Sequence, residues 1–249
     1  TDRAWRVPHF EKMLYDQAQL AVAYTEAYQI TKDAALGDVA RDVLDYVLRD
    51  LRSPEGAFYS AEDADSAIAA GGSRLGEGAF YVWTGEEVRR VLGDGPGAVF
   101  AFHYGVQPSG NVPPPLDVEG GLAGQNVLAV VHTLAETAAR FGRPDDEVRA
   151  LLSASRETLL AARGGRPRPP RDDSVLVAWN GLALSAFARA AQVFDEPRYL
   201  DAATASAGFI HARMYDTKAN LLARRYRQGG ADVDAVLEDY VFLIQGLLD

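Results

Sequence analysis

Three stretches of the 249-residue chain concentrate side chains that can move protons or grip a polyol. The first is Trp5-Arg6-Val7-Pro8-His9-Phe10-Glu11-Lys12-Met13-Leu14-Tyr15-Asp16. It holds an imidazole (His9), two carboxylates (Glu11, Asp16) and the rings of Trp5 and Tyr15, where a loop turns into a helix. Histidine, with an ordinary pKa of about 6.5, gives or takes a proton at neutral pH, so this density suits acid-base work on a polyol. The structural alternative is that Glu11 and Asp16 only stabilise a helix start while His9 bonds a loop carbonyl. The second stretch, Ser60-Ala61-Glu62-Asp63-Ala64-Asp65-Ser66, sets Glu62, Asp63 and Asp65 within four positions. Repulsion between close carboxylates raises the pKa of one, as a general acid requires, and the flanking Phe58, Tyr59, Tyr81 and Trp83 would supply sugar-stacking faces. A solvated acidic turn is the plainer reading. The third, Arg168-Pro169-Pro170-Arg171-Asp172-Asp173, leads towards Trp179-Asn180-Gly181 and again puts charge ahead of a helix start. Internal Arg–Asp pairing would explain it as structure alone.

Other chemistries lack a required residue. His9 is followed by Phe10-Glu11-Lys12-Met13, so no zincin His-Glu-x-x-His is present, and Ile68 stands where an EF-hand loop beginning at Asp63 needs glycine. Gly71, Gly72, Gly76 and Gly78 have neither dinucleotide nor P-loop spacing, and no Gly-x-Ser-x-Gly occurs. With Cys 0, the chain carries no thiol nucleophile, disulfide or thiolate zinc site. The acidic cluster could hold Ca²⁺ or Mg²⁺ through oxygen ligands, but no ligand spacing specifies either, so no metal ligand is assigned, metal use stays open, and no cofactor is expected. A net charge of -10 repels phosphate backbones and anionic lipid, and no apolar run reaches the roughly 18 residues of a membrane helix. The expectation is therefore no nucleic acid and no membrane partner, with a cytoplasmic location as the default of a soluble chain; the absence of cysteine does not decide the compartment. The start at Thr1, without Met or a leader pattern, reads as a chain cut from something longer.

The apolar spacing that must position these groups is mostly helical. Leu14, Ala18, Ala21, Val22, Thr25 and Tyr28 predict one buried face of a helix from Glu11 to about Thr31, and Val39, Val43, Tyr46 and Val47 predict a second from about Ala35 to Leu51. The identical tetrapeptides Gly56-Ala57-Phe58-Tyr59 and Gly78-Ala79-Phe80-Tyr81 read as two strands of a hairpin across the acidic loop. Thr84 with Glu87 forms a capping box for a short helix, and Gly105 to Gly124 reads as a loop. Further helices are expected near Val127 to Arg140, Asp145 to Ala162, Val177 to Phe194, Pro197 to Met214 and from Val236 onward. That makes seven or eight in all. Asp16, Asn180 and Asp239 each stand four residues before a leucine, with Tyr15, Trp179 and Glu238 directly ahead of them. In the first two copies a second helix, a turn and a short extended segment follow, Ser53 to Ser60 and Asp216 to Ala223. Such an echo points to a toroid of helical hairpins, each burying its face against its neighbours.

Five blocks carry a family resemblance, in order along the chain. They are Val7 to Ala18, Phe58 to Ser66, Glu77 to Thr84, Asp172 to Leu176 with Trp179-Asn180-Gly181-Leu182, and Leu237-Glu238-Asp239-Tyr240. Together they resemble the YyaL family, which includes the spermatogenesis-associated thioredoxin-domain proteins. The resemblance implies an N-terminal thioredoxin-like domain followed by an all-α, (α/α)6 six-hairpin toroid, similar to N-acylglucosamine 2-epimerases and related glycosidases. Residues 1–249 are then one domain, an incomplete toroid with small β-hairpins at its mouth; the thioredoxin-like domain and the last hairpins lie outside the chain. Ala67 to Leu75 departs from the family pattern as an insertion, and Asn126 restores its Asn-Val-Leu after a Pro-rich run.

Two classes of function are carried forward. In the first, a carbohydrate-active enzyme uses His9, Glu11, Asp16, Glu62, Asp63 and Asp65 as its acid-base groups. Trp5, Tyr15, Tyr59, Tyr81, Trp83, Asn126, Asp172, Asp173, Trp179, Asn180, Glu238 and Asp239 would bind its sugar-like substrate. Glycosidase-like hydrolysis would pair a protonated carboxyl with a carboxylate that activates water. Epimerase-like chemistry needs two bases and ranks lower, because only His9 among the histidines falls in a matching block; His103, His132 and His211 read as helix-face residues. In the second class the toroid is a non-catalytic module that presents a ligand or protein surface to its thioredoxin-like neighbour.

Overall fold

Nine α-helices lie among the residues described by the computed structural model, which are 3, 5–117 and 120–249: α1 (Leu14–Thr31), α2 (Ala34–Tyr46), α3 (Gly85–Leu92), α4 (Asp94–His103), α5 (Leu134–Phe141), α6 (Asp145–Arg163), α7 (Val177–Phe194), α8 (Pro197–Arg213) and α9 (Leu237–Leu248). Short strands connect them: β1 (Lys12–Met13), β2 (Ala61–Glu62), β3 (Asp65–Ala67), β4 (Leu75–Glu77), β5 (Arg171–Asp172), β6 (Val175–Leu176), β7 (Tyr215–Asp216), β8 (Leu221–Arg227) and β9 (Gly230–Asp234). The chain divides into two compact units, Thr1–Phe10 with Asp63–Pro170, and Glu11–Glu62 with Arg171–Asp249. Helices adjacent in sequence pack as pairs in both: α3 with α4 and α5 with α6 in the first, α1 with α2 and α7 with α8 in the second.

In the α1/α7 unit the expected stripe of α1 is buried through Leu14, Ala18, Ala21 and Thr25. Burying one leucine of this kind contributes about 1.5–3 kcal/mol. Helix α7 buries ten of its eighteen residues, as a helix packed on several sides must, and it contacts α1, α8 and α9. Its approach to α9 depends on two glycines. A Cβ on Gly181 would stand 2.5 Å from the Phe242 carbonyl carbon, and one on Gly246 would stand 2.5 Å from the Gly181 oxygen. Strands β6, β7 and β9 all pair with β8, and the β8–β9 turn places Gln228 and Gly229 at positive φ.

In the α4/α6 unit one core gathers Trp83, Val88, Val99, Phe100, Val148, Leu152 and Leu159, and a smaller one gathers Phe10, Val82 and Leu122. The capping box at Thr84 and Glu87 forms as expected, and a second, Thr133 with Glu136, starts α5.

Several expectations are corrected. Helix α1 starts at Leu14 rather than Glu11, because Lys12 and Met13 are drawn into strand pairing and the Leu14 N–H bonds the Ser60 carbonyl. Helix α2 ends at Tyr46, and Val47–Leu51 continues as a π-helical turn. The two Gly-Ala-Phe-Tyr copies are not a hairpin and fall in different units. Phe58 makes a single bridge to Arg52, and the second copy is a turn about Gly78. Gly78 has a φ of 70°, and a Cβ there would stand 2.6 Å from the Phe10 ring, so only glycine fits. The hairpin present is β3–β4, formed by the acidic block and the insertion-like segment after it. Residues 127–133 are not helical. Val127 N–H is held by Asn111, and Val131 and His132 N–H groups bond the His103 carbonyl. His132 therefore precedes α5, stacked on Phe102, instead of lying on a helix face. Helix α4 is not among the helices expected from the sequence, although His103 at its end reads as a helix-face residue.

Candidate functional site

The three polar stretches meet in one small sheet of the α1/α7 unit. Antiparallel strands in the order β1-β2-β5 set Lys12 opposite Glu62 and Glu62 opposite Arg171, with Met13, Ala61 and Asp172 forming the next row. Cross-strand partners share a face, so the first row alternates cation, carboxylate, cation, an order that favours this register. Each outer strand feeds a helix start: β1 runs into α1, and β5 is followed by β6 and α7. Those starts bring Tyr15 against Trp179, with ring centroids 4.8 Å apart in an edge-to-face arrangement.

Glu62 is buried, and the Tyr46 hydroxyl at the end of α2 donates to its Oε2 at 2.9 Å. The π-helical turn that follows supplies Asp50, also buried, which accepts two bonds from Arg49 at 3.0 and 2.7 Å. Arg171 donates to the Asp50 carbonyl at 3.2 Å and lays its guanidinium over the Tyr59 ring at 4.2 Å. In the sequence Tyr46 reads only as a stripe residue of its helix, and neither Arg49, Asp50 nor the π-turn that presents Asp50 has a marker in the residue pattern. Asp172 is exposed, and burial, the largest single influence, would raise its pKa. The Ser174 N–H and hydroxyl, the Ser60 hydroxyl and nearby Arg227 outweigh that and hold it below the ordinary 3.8. It is a carboxylate at neutral pH. Asp173 pairs with Arg227 of β8 at 2.7 Å. Glu11 is half-buried and Asp16 is exposed in the first turn of α1.

Two further residues of this unit brace backbone. Asn180, fully buried, accepts from the Phe58 N–H at 2.9 Å and donates to the carbonyls of Phe58 and Leu176. Asp239 is fully buried and accepts from the N–H groups of Val236 and Ala178, tying the start of α9 to that of α7. Glu238 is exposed and pairs with Arg224 at 2.8 Å.

In the α4/α6 unit His9 is exposed, with Nδ1 3.6 Å from the Glu77 carboxylate. Glu77 lies directly opposite Asp65 across β3–β4, so an imidazole and two carboxylates gather there. His9 and Glu77 border a cleft of about 350 Å³ that Arg74, Asp117 and Leu122 also line. Glu77 belongs to a signature block, but nothing in the sequence marks it as the link between His9 and Asp65. Asp63 is exposed and its carboxylate accepts the Asp65 N–H at 3.0 Å. Trp5 is 82% exposed. Tyr81 stacks on Phe10, and Arg163 lies over its ring at 5.2 Å. Trp83 is buried under the Arg166 guanidinium at 4.0 Å. Asn126, fully buried, accepts from the Gln107 N–H and donates to the carbonyls of Gln107 and Trp83. Among the described residues no group of three His, Asp or Glu is placed to hold a metal ion, and no helix is long and apolar enough to cross a membrane.

No protein-family model matches the chain. Spermatogenesis-associated protein 20 of Homo sapiens is 45% identical over all of this chain, and that of Rattus norvegicus 43%. The chain is a homologue of spermatogenesis-associated protein 20. An uncharacterized protein of Caenorhabditis elegans is 36% identical over 98% of the chain. The chain spans about a third of the length of these relatives, 34% of the human protein. Among solved structures, a cellobiose 2-epimerase from Bacillus thermoamylovorans aligns over 94% of this chain and 71% of its own, at 11% identity and a TM-score of 0.28. A D-mannose isomerase aligns over 89% and 46% at 14% identity and 0.26. Scores this low carry no argument about the chemistry of this chain.

Proposed function

We propose that this chain is part of a carbohydrate-active member of the six-hairpin class, with its acid-base groups at the β1-β2-β5 sheet. The observation that carries the reading is the strand register, which lines up Lys12, Glu62 and Arg171 from three stretches far apart in sequence. Asp172, held as a carboxylate, suits the group that activates water or accepts a proton. Glu62, fixed by Tyr46, is a separate candidate carboxyl, since the row of Asp172 faces the opposite side of the sheet. Tyr15, Trp179 and Tyr59 offer ring surface for a sugar. His9 with Glu77 and Asp65 is a second acid-base group in the other unit. That residues 1–249 belong to one incomplete (α/α)6 ring, that a thioredoxin-like domain of the same protein is its partner, and that it acts in the cytoplasm, are parts of the same proposal.

A second reading, a non-catalytic ligand- or protein-binding module, is favoured by one observation: Asn126, Asn180 and Asp239, all picked out by the family pattern, hold backbone groups, with Ser206 and Arg224 as the further partners of Asn180 and Asp239. The two separate on Glu62→Gln and Asp172→Asn in the whole protein, screened for hydrolysis of glycosides and for solvent-proton exchange into reducing sugars. On the enzyme reading each amide lowers the rate by about 10²–10⁴-fold while circular dichroism is unchanged. Undiminished turnover by both variants would leave only the module.

A further inference from the structure

Arg171, exposed on β5, is held in place without being neutralised. Its Nη1 donates to the Asp50 carbonyl at 3.2 Å, and its guanidinium lies 4.2 Å over the Tyr59 ring. Among the described residues no carboxylate pairs with it. Two carboxylates of the same site are close in the fold but engaged elsewhere. Glu62, directly opposite in the strand register, accepts from the Tyr46 hydroxyl, and Asp50 takes two bonds from Arg49. By contrast, Arg225 and Arg227 on β8 spend their guanidinium groups on Asp232 and Asp173.

A guanidinium carries five N–H donors in a planar fork. One of them is used on the Asp50 carbonyl, and the ring contact fixes the group before any ligand arrives. The open donors suit a carboxylate, whose two oxygens match the fork with two parallel bonds. The charge around Arg171 points the same way. Lys12 and Arg171 flank Glu62 in one row and share its face, two cations against one carboxylate. A single positive charge in excess matches a carboxylate better than a phosphate dianion.

We propose that Arg171 binds the carboxylate of a sugar acid, so that the sheet site takes an anionic sugar in preference to a neutral one. This rests on the carbohydrate reading above and names the substrate class for it. Tyr59 then orients the arginine with the ring face that the guanidinium covers.

The test is calorimetric binding to the whole protein of a panel of hexuronates, their parent hexoses, the hexose 6-phosphates and cyclohexanecarboxylate, an acid of similar size without hydroxyls. One hexuronate is expected to bind about 10–100-fold more tightly than its parent hexose, the worth of hydrogen bonds to a charged group. Arg171→Gln brings that hexuronate down to the level of the hexose and leaves the hexose unmoved, with circular dichroism unchanged. Arg171→Lys recovers only part of the difference, because an ammonium has neither the fork nor the ring contact. Equal binding of hexuronate and hexose by the wild-type protein, or a preference for the 6-phosphate, overturns the proposal and leaves the carbohydrate reading standing. Cyclohexanecarboxylate bound as tightly as any hexuronate overturns both. Binding of no hexuronate overturns the proposal outright.

Discussion

The carboxamide of Asn180 closes a two-bond ring on the backbone of Phe58, accepting its N–H and donating to its carbonyl, each at 2.9 Å. The two residues are 122 positions apart, and the ring makes α7 serve as a strand-like partner for the segment entering β2. Ser206 adds a hydroxyl to the same oxygen at 3.2 Å. Positioning of Glu62 and Arg171 therefore begins with an amide that itself touches neither.

Asn180→Ala leaves the buried N–H and C=O of Phe58 without partners, and each unsatisfied group costs about 1–3 kcal/mol. The expected loss is about 3 kcal/mol in urea unfolding. Asn180→Asp keeps the acceptor but removes both donor bonds and buries a charge, so it should be at least as damaging. A variant within about 0.5 kcal/mol of wild type would remove Asn180 from its bracing role.

How far such a role can be read from sequence depends on the residue. Asn180 and Asn126 stand out because they sit in recurring blocks, but block membership does not separate an amide that meets a ligand from one that braces backbone. The bounds of α7 follow directly from its long apolar pattern, and residues 177–194 are helical as expected. Helix α4 hides behind Gly93-Asp94-Gly95-Pro96-Gly97, a run of turn formers, and is held helical by burial of Val99, Phe100 and His103. Strands of two residues, such as β1, β2 and β5, are too short for any periodicity. Their pairing is a tertiary fact, and so is the meeting of the three polar stretches.

Gly181→Ala puts a methyl 2.5 Å from the backbone of α9, which a rotamer change cannot relieve. Overpacking of this kind costs about 1–3 kcal/mol, and α9 should lose protection from amide exchange before the rest of the unit. Gly208→Ala in α8 is the matched control. Nothing lies within 4 Å of its Cβ, so helix propensity alone acts and stability rises by about 1 kcal/mol. Equal effects from the two substitutions would refute the close α7–α9 contact.

Arg166 holds four groups at once in the α4/α6 unit. It donates to the carbonyls of Phe80 and Val82 at 3.1 and 2.6 Å, reaches Glu87 at 3.3 Å, and covers Trp83. Burial pulls its pKa below the ordinary range, and Glu87 opposes the shift. Lysine has a single ammonium and no planar face, so Arg166→Lys should lose the fork and the stacking together. The expected cost is about 2 kcal/mol, with a red shift of Trp83 emission as water reaches the ring. Emission unchanged from wild type would show that the guanidinium is not what shields Trp83.

His103 gives the α4/α6 unit a pH dependence whose sign is fixed by burial. It is 7% exposed, with Nδ1 3.1 Å from the Thr137 hydroxyl. Burial first, then the charges of His132 and Arg156, lower its pKa from the ordinary 6.5. The unfolded chain therefore binds a proton at His103 more readily than the folded one as pH falls from 6.5 through the lowered value. Stability is full above that window and declines within it. The carboxylates Glu136, Asp172 and Asp232 are lowered from ordinary values of 4.5, 3.8 and 3.8, below the 6.5 at which the His103 loss begins. His103→Gln, which keeps a partner for Thr137 but cannot titrate, should flatten the fall in urea midpoint as pH drops below 6.5. Parallel curves for the variant and wild type would rule His103 out as the source.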